Sequence, residues 1–575
     1  MSATSLFWSS LTGLQLIEEV TQKADEVQEQ VLAQILAQNA STEYLTGFGL
    51  NGSTDREAFK SKIPMTTYKD LQPLIKRIAD GDRSPILCAQ PISTFLISSG
   101  TTSGDPKLIP SNKDMLNRGS LTIGLTESVL NQHFEGLDKG KGLNFMFTRA
   151  ESKTQGGVTV QTALTYLYKS EEFKKHNEDT FTSPTEAVIC SDSFQSMYAQ
   201  MLCGLYAREQ VFWLGKLFAY GFVRAIKFLE HNWQQLTHDI RTGSLDPKVT
   251  DPAIRDCMPR VARPDPDLAD FIARECARDD WAGIIPRIWP NAKYLNTIVT
   301  GPMAQYIPTL EYYGGGLPIV SMAYASSECF LGINLDPTCR PSEVSYTFMP
   351  CMAYFEFFPA DDRSEPVDLV NVEVGKEYEV VVTTFSGLYR YQLGDIVQAS
   401  GFHNSAPKFR FVRRKDVLLN IDWENTKETE LQEAVEKAAR LLLPHGIRVL
   451  DYTSRVDPTT VPAHYVVYWE LLNERESNDQ PRAVWEECCV AMEESFNWVY
   501  RMLRDSSIGP LEIRVVKDGT FEEVMEWAVS RGASLGQFKV PRCVSQREMV
   551  ELLDSRVVAS YFRPPLSDQP TEPRY

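Results

Sequence analysis

The chain has 575 residues, 43% hydrophobic and 23% charged, values ordinary for folded domains that exclude a largely disordered protein. Its length exceeds the ~250–300 residues at which a single core stops growing, so more than one domain is expected. A net charge of −18, with lysines and arginines scattered, leaves no basic stripe of the kind nucleic-acid binding requires.

The first residues lack the positively charged start of a secretory signal, and a cytoplasmic protein is expected. From Leu11 to about Ala40, apolar residues recur at three- and four-residue spacing (Leu14, Ile17, Val20, then Val27, Val31, Ile35), which predicts amphipathic helix. Residues 86–97 read as a short buried strand, and 111–135 and 193–232 as helices. The stretch from Met201 to Phe228 is the most apolar, yet Arg208, Glu209, Lys216 and Arg224 interrupt it. A membrane span needs ~20 nearly unbroken apolar residues, so buried helix with a gap is predicted here, and no membrane partner. Residues 246–267, rich in proline and aspartate, read as a connecting excursion. Strands are then predicted at 294–301, 317–324, 378–385, 388–393 and 395–402. Further on, helix 428–442, strands 447–456 and 464–472, helix 483–503, strand 511–516 and a helix from Phe521 follow. That alternation predicts a compact α/β C-terminal domain, with a boundary near 420–426 and an exposed polar loop at 473–482. The eleven cysteines form no CxxC pair and the seven histidines no HExxH or HxH pattern. Reduced thiols filling core space are expected, and no zinc-type site.

Three constellations carry chemistry. The first is SSGTTSGDPK, Ser98 to Lys107, after a predicted strand. Glycines let backbone amides approach an anion, the hydroxyls of Ser98, Ser99, Thr101 and Thr102 add donors, and Lys107 adds charge. Chemically this is a phosphate cradle, though not the GxxxxGK[ST] loop of kinases and ATPases. The second is YASSE, Tyr324 to Glu328, at a strand end, where open α/β sheets place ligands. Tyr324 offers a flat face for a purine, Ser326 and Ser327 offer hydrogen bonds, and Glu328 is a hard oxygen ligand suited to Mg²⁺. The third is GLYRYQLGDIV, Gly387 to Val397, in which Asp395, expected in a turn between two strands, suits the vicinal hydroxyls of a ribose. Taken singly, these also read as a hydroxyl-rich turn, a solvated glutamate and an aspartate serving turn geometry. Together and in this order, they read as a nucleotide site.

The ordered set resembles the adenylate-forming superfamily, and more closely the plant acyl acid amido synthetases, the Gretchen Hagen family. The resemblance runs essentially the whole length, through SSGTTSGDPK, YLNTIVTGPM, YASSE, SYTFMPCMAYFEF, YRYQLGDIV, PLEIRVV and GQFKVPRC. It implies an α/β, firefly-luciferase-like architecture: a large N-terminal domain, 1–422, with β-barrel and α/β sheets, and a small mobile α/β C-terminal domain, 423–575. It implies ATP and Mg²⁺ as cofactors, adenylation of a carboxylic acid with release of pyrophosphate, and transfer of the acyl group to an amino acid as an amide. By resemblance, Ser98, Ser99, Gly100 and Thr101 hold phosphate, while Val299, Ala323, Tyr324, Ala325, Ser326 and Ser327 frame the adenine. Glu328 binds Mg²⁺ and Asp395 the ribose. Lys539, in the GQFK loop, swings in to offset charge on the α-phosphate, and with Glu328 it makes the catalytic set. Ile123, Thr126, Leu217 and Tyr220, between the 111–135 helix and a helix entered near Leu217, are expected to line the acyl pocket. Asn425 stands at a nucleotide position in the hinge where the family usually has lysine, and Ala325 where it commonly has glycine. Among branches of the family, the chain is similar to the one joining benzoate-type and chorismate-derived acids to glutamate. A jasmonate- or auxin-conjugating enzyme, or a nucleotide-binding homologue without turnover, is the alternative, and transfer to a thiol such as coenzyme A ranks lower. The expected partners are the small carboxylic acid and the amino acid, with the protein a monomer.

Overall fold

The computed structural model describes residues 13–97, 107–360, 365–415, 419–421, 424–457, 459–460, 462–472, 481–504, 508–533, 535–536 and 538–564. It divides into two units, Met1–Val412 and Arg413–Tyr575, except that Ser534–Gln537 groups with the first. That division falls ahead of the 422/423 position expected from sequence.

Among the described residues, the first unit holds three sheets. One is fully parallel and sets Lys141–Asn144, Val211–Phe218, Tyr294–Ile298 and Ile319–Val320 side by side in chain order. All four strands therefore end at one edge, at Asn144, Phe218, Ile298 and Val320, and open α/β sheets carry ligands at that edge. An eight-stranded sheet runs Val367–Asp368, Tyr354–Pro359, Glu377–Thr383, Tyr391–His403, Ala406–Arg414, Tyr346–Phe348, Phe330–Ile333, Ala323–Ala325. A smaller mixed sheet pairs Thr94–Ile97 with Leu108–Ser111, with Ile97 opposite Leu108. Helices Gly13–Gln22 and Ala24–Gln38 bury Ile17, Val20, Val27, Val31 and Ile35, as the spacing predicts, but Leu14 is exposed and Leu16 takes the buried place instead. Each such aliphatic side chain contributes about 1.5–3 kcal/mol when fully buried.

Two differences from the sequence expectation bear on function. Residues 193–232 are not helical throughout: helices Ser193–Tyr206 and Ala219–Thr242 flank the strand Val211–Phe218. That strand lies between two parallel neighbours. Strands covered on both faces lose the apolar–polar alternation that distinguishes them from buried helix. Residues 388–393 and 395–402 are one strand, Tyr391–His403, rather than two joined by a turn. Its register with Glu377–Thr383 slips between the Val381–Gln392 and Glu379–Ile396 pairs, and Gly394 fits that bulge with a φ of 78°. Elsewhere, the strand predicted at 86–97 is confined to Thr94–Ile97, and 317–324 splits into Ile319–Val320 and Ala323–Ala325. The excursion at 246–267 contains the helix Pro252–Cys257.

The second unit is a mixed sheet ordered Val449–Asp457, His464–Leu471, Glu512–Val516, Val557–Phe562, antiparallel except between the middle two. Helices Glu428–Leu442 and Arg482–Ser495 cover it, and Trp485, fully buried, stacks on Tyr561 at 4.9 Å. The predicted alternation of helix and strand is realised. The helix Arg547–Ser555 and the strand Val557–Phe562 add to it. The mixed α/β architecture agrees with the fold class expected. All eleven cysteines are free thiols and nine are buried, as core fillers would be. Among the described residues, no helix is long and apolar enough to cross a membrane.

Candidate active site

At the ligand-bearing edge of the parallel sheet, Val299 follows Ile298 and is buried. Two residues on, Gly301 has a φ of 61°, and a Cβ there would lie 2.8 Å from the Phe411 ring. Conformation and close approach both call for glycine. The Thr300 hydroxyl lies 3.3 Å from that of Tyr346, which also meets Ser321 Oγ at 2.8 Å. The ring of Tyr324 sits 5.7 Å from Tyr346, 5.9 Å from Phe348 and 6.0 Å from Phe411. Tyr346 and Phe348 are buried and Phe411 is half-buried, and their planes lie 40°, 60° and 76° from that of Tyr324, so the cluster is an aromatic wall of tilted rings, a surface a purine can pack against.

Asp395 is buried, and its Oδ2 accepts a 2.7 Å hydrogen bond from the Tyr324 hydroxyl. The second and third motifs, about 70 positions apart in sequence, thus meet. Ala323–Ala325 and Phe330–Ile333 form a hairpin that Ser326 closes, its Oγ accepting from the N–H groups of Glu328 and Cys329, each at 3.3 Å. Ser326 therefore serves the turn. Glu328 is 9% exposed, and among the described residues no donor or cation meets its carboxylate. A carboxylate with no partner among the described residues is a ligand of the kind a hard divalent cation takes. No cluster of three acidic, histidine or cysteine ligands exists among the described residues. Ala325 is exposed with an ordinary negative φ, so its methyl brings no backbone strain.

The rest of the third motif is scaffold. Arg390, at a φ of 45°, is buried and forms a two-pronged ion pair with Glu356 at 3.0 and 2.8 Å. It also donates to the carbonyls of Lys60 and Ile63. Burial pushes the Glu356 carboxyl up, against the opposing pull of Arg390. The Tyr389 hydroxyl donates to the Leu87 carbonyl at 2.7 Å, and Gly387, at a φ of 96°, would place a Cβ 2.4 Å from that same oxygen.

Helix Lys113–His133 packs on the Glu328 hairpin through Gly119, where a Cβ would lie 3.3 Å from the Phe330 ring. Ile123 and Thr126 are half-buried on this helix, and the Thr126 hydroxyl bonds back to the carbonyls of Thr122 and Ile123. Leu217, expected at a helix entry, lies in the Val211–Phe218 strand, while Tyr220 is in the following helix with its side chain outside the described residues. Ser98, Ser99, Gly100 and Thr101 lie outside the described residues, as does the side chain of Asn425, whose backbone belongs to strand Glu424–Thr426. Lys107 flanks the loop, its ammonium 5.7 Å from the Tyr68 ring centre. Lys539 belongs to the second unit, exposed between buried Phe538 and Val540. Three residues on, buried Arg542 pairs with Asp451 at 2.8 Å and anchors the segment. Structure thus brings Val299, Tyr324 and Asp395 together, and it adds Tyr346 and Phe411, which sequence reasoning passed over. Their signal was the aromatic alternation in SYTF and KFRF.

The GH3 family N-terminal domain matches residues 13–319, the GH3 family central domain 346–414 and the GH3 family C-terminal domain 429–548. The chain is 57% identical over 560 residues to the probable indole-3-acetic acid-amido synthetase GH3.1 of Arabidopsis thaliana, covering 96% of this chain and 95% of that protein. It is 56% identical over 566 residues to indole-3-acetic acid-amido synthetase GH3.8 of Oryza sativa subsp. indica, covering 96% and 94%. Among solved structures, the GH3.15 acyl acid amido synthetase superposes with a TM-score of 0.90 at 46% identity, over 96% of this chain and 97% of that one. A 2-hydroxyisobutyryl-CoA ligase in its postadenylation state, 11% identical with a TM-score of 0.51 over 93% and 92%, shares the fold alone.

Proposed function

The chain belongs to the GH3 family of ATP-dependent acid–amino acid ligases, and on that premise we propose that it joins indole-3-acetate to an amino acid. What supports this acid is the pair of relatives at 57% and 56% identity, both named as indole-3-acetic acid-amido synthetases. The leaning towards benzoate-type and chorismate-derived acids has no comparable support. Glutamate, expected from the sequence, is the first acceptor to test.

A free carboxylate is a poor acyl donor because oxide would have to leave. Attack of its oxygen on the α-phosphorus of ATP expels pyrophosphate and leaves a mixed anhydride. The amine then attacks the carbonyl carbon and AMP departs with the bridging oxygen. The protein's part is positioning and charge compensation. Val299 and the Tyr324–Phe411 wall hold the adenine, Ala323, Ala325, Ser326 and Ser327 shape its hairpin, and Asp395, aligned by Tyr324, accepts the ribose hydroxyls. Ser98, Ser99, Gly100 and Thr101 donate to phosphate oxygens. Glu328 would hold Mg²⁺, and the ion would supply charge compensation to the phosphates. Asn425 in the hinge faces the nucleotide and Lys539 offsets charge on the α-phosphate. Ile123, Thr126, Leu217 and Tyr220 line the acid's ring. The protein is a cytoplasmic monomer whose partners are small molecules. The 2.7 Å bond between Tyr324 and Asp395 supports the nucleotide reading best, because no single motif requires it.

A pyrophosphate-release screen crossing indole, aryl and jasmonate acids with glutamate, aspartate and isoleucine tests the reading. Fastest release with indole-3-acetate, and a product of amide mass, is expected. Release confined to aryl or jasmonate acids overturns the choice of acid, and silence across the panel overturns the ligase.

A further inference from the structure

Strand Val211–Phe218 carries a bulge: Gly215 pairs with Asn296 but Phe218 with Ile298, so one extra residue is taken up at Lys216 and Leu217. Bulges re-aim side chains beside active sites. Here the Lys216 stem crosses the first turn of helix Ala219–Thr242, since a Cβ at Gly221 would lie 2.0 Å from its Cε and 3.3 Å from its Nζ. The residue is 6% exposed, and its ammonium lies 4.1 Å from the centre of the Phe147 ring. Among the described residues, no carboxylate pairs with that ammonium and no oxygen accepts a hydrogen bond from it.

Three things oppose its charge. It is buried, it sits at the positive end of a helix whose cap, Phe218, makes no side-chain bond, and Arg224 repels it. Burial first, then Arg224, pushes its pKa down to about 7. Retaining a buried cation without a counter-charge is costly. The position is the edge of the parallel sheet where Val299 also lies, and an anion there would relieve all three penalties at once.

We propose that Lys216, the first turn of Ala219–Thr242 and Phe147 form a subsite for the carboxylate of one of the two acid substrates, the acyl acid or the amino acid. The proposal rests on the ligase reading, which supplies both carboxylates. The carboxylate accepts from the ammonium and from the free N–H groups of the helix start, and the Phe147 ring keeps water from the pair.

Lys216→Met retains the stem and removes the charge, so it is the variant of choice, with Lys216→Gln read the same way should Lys216→Met not fold. Exchange of pyrophosphate into ATP needs the acyl acid only. A KM for indole-3-acetate raised about 10- to 100-fold there, with the KM for ATP unchanged, assigns the subsite to the acyl acid. Normal exchange with a similar rise in KM for the amino acid during amide formation assigns it to the acceptor. Unchanged KM values for both acids in a folded variant overturn the proposal. Melting temperature with and without indole-3-acetate or glutamate separates this from the ligase reading. If wild type shows no exchange yet gains thermal stability from a carboxylate, and the variant loses that gain, the ligase reading fails and the subsite stands. Exchange in wild type with equal carboxylate-induced stabilisation of both proteins leaves the ligase intact and removes the subsite.

Discussion

The sequence singled out Asp395, and we propose it as the ribose ligand, but its alignment was not readable there. The hydroxyl that orients it comes from Tyr324, in a different motif. Asp395→Ala should raise the KM for ATP about 10- to 100-fold, the worth of a charged hydrogen bond, and Tyr324→Phe by less, because it only orients. Equal effects on the acyl acid KM and none on that of ATP would contradict the assignment. Arg390, in the same motif, has the opposite character: it is held by Glu356 and two carbonyls in the interior. Glu356→Gln should cost about 3–5 kcal/mol in urea denaturation, since it strands a buried guanidinium, with the KM for ATP unmoved in the folded fraction. Lys216 could not be assigned from sequence, because an isolated lysine in an apolar run gives no sign of what surrounds it. Its folded pKa, about 7, lies below the ordinary 10.5. Below pH 7 both folded and unfolded chains hold the proton, and the folded state carries the full penalty. From 7 to 10.5 only the unfolded chain binds it, so stability rises with pH. Lys216→Met should therefore be more stable than wild type by on the order of a few kcal/mol below pH 7. The gap should close as the pH nears 10. A gap constant with pH would count against the burial of an unpaired ammonium beside Arg224.

The N-terminal helices were readable because one face of each is buried and the other wet, the condition under which spacing reports structure. The strand Val211–Phe218 was not, because it lies inside a parallel sheet with helix Ala219–Thr242 packed on it, and its apolar run carries no period. Missing it moved Leu217 from a helix entry to a strand and hid the bulge that sets Lys216. The two strands expected around Asp395 merged for a related reason. A Gly-Asp pair signals a turn or a bulge equally well, and only the register with Glu377–Thr383 decides. Gly387 ties this region to the N-terminal segment through the Leu87 carbonyl. Gly387→Ala demands a left-handed backbone and places a methyl 2.4 Å from that oxygen. It should destabilise the first unit by at least about 2 kcal/mol in denaturant titration, and a smaller loss would mean the contact is readily relaxed.

For the whole molecule, the family, the α/β architecture and the presence of a compact second unit were readable, because they rest on many weak signals spread along the chain. The choice of acid was not, since it depends on a few pocket side chains that share the scaffold of every branch. Lys539 is exposed between two buried neighbours. Lys539→Ala should slow adenylation about 10²- to 10³-fold without changing the melting temperature. Arg542→Ala should lower that temperature instead, because it removes the buried ion pair with Asp451. A Lys539→Ala protein with normal pyrophosphate exchange would remove the lysine from the catalytic set. The claim beneath all of this is that the acid's own oxygen is handed to AMP. Indole-3-acetate labelled with ¹⁸O in both carboxylate positions, incubated with ATP and glutamate, tests it by mass spectrometry of the products. The account predicts one ¹⁸O in AMP and one in the amide. Unlabelled AMP, or ADP in its place, would contradict it.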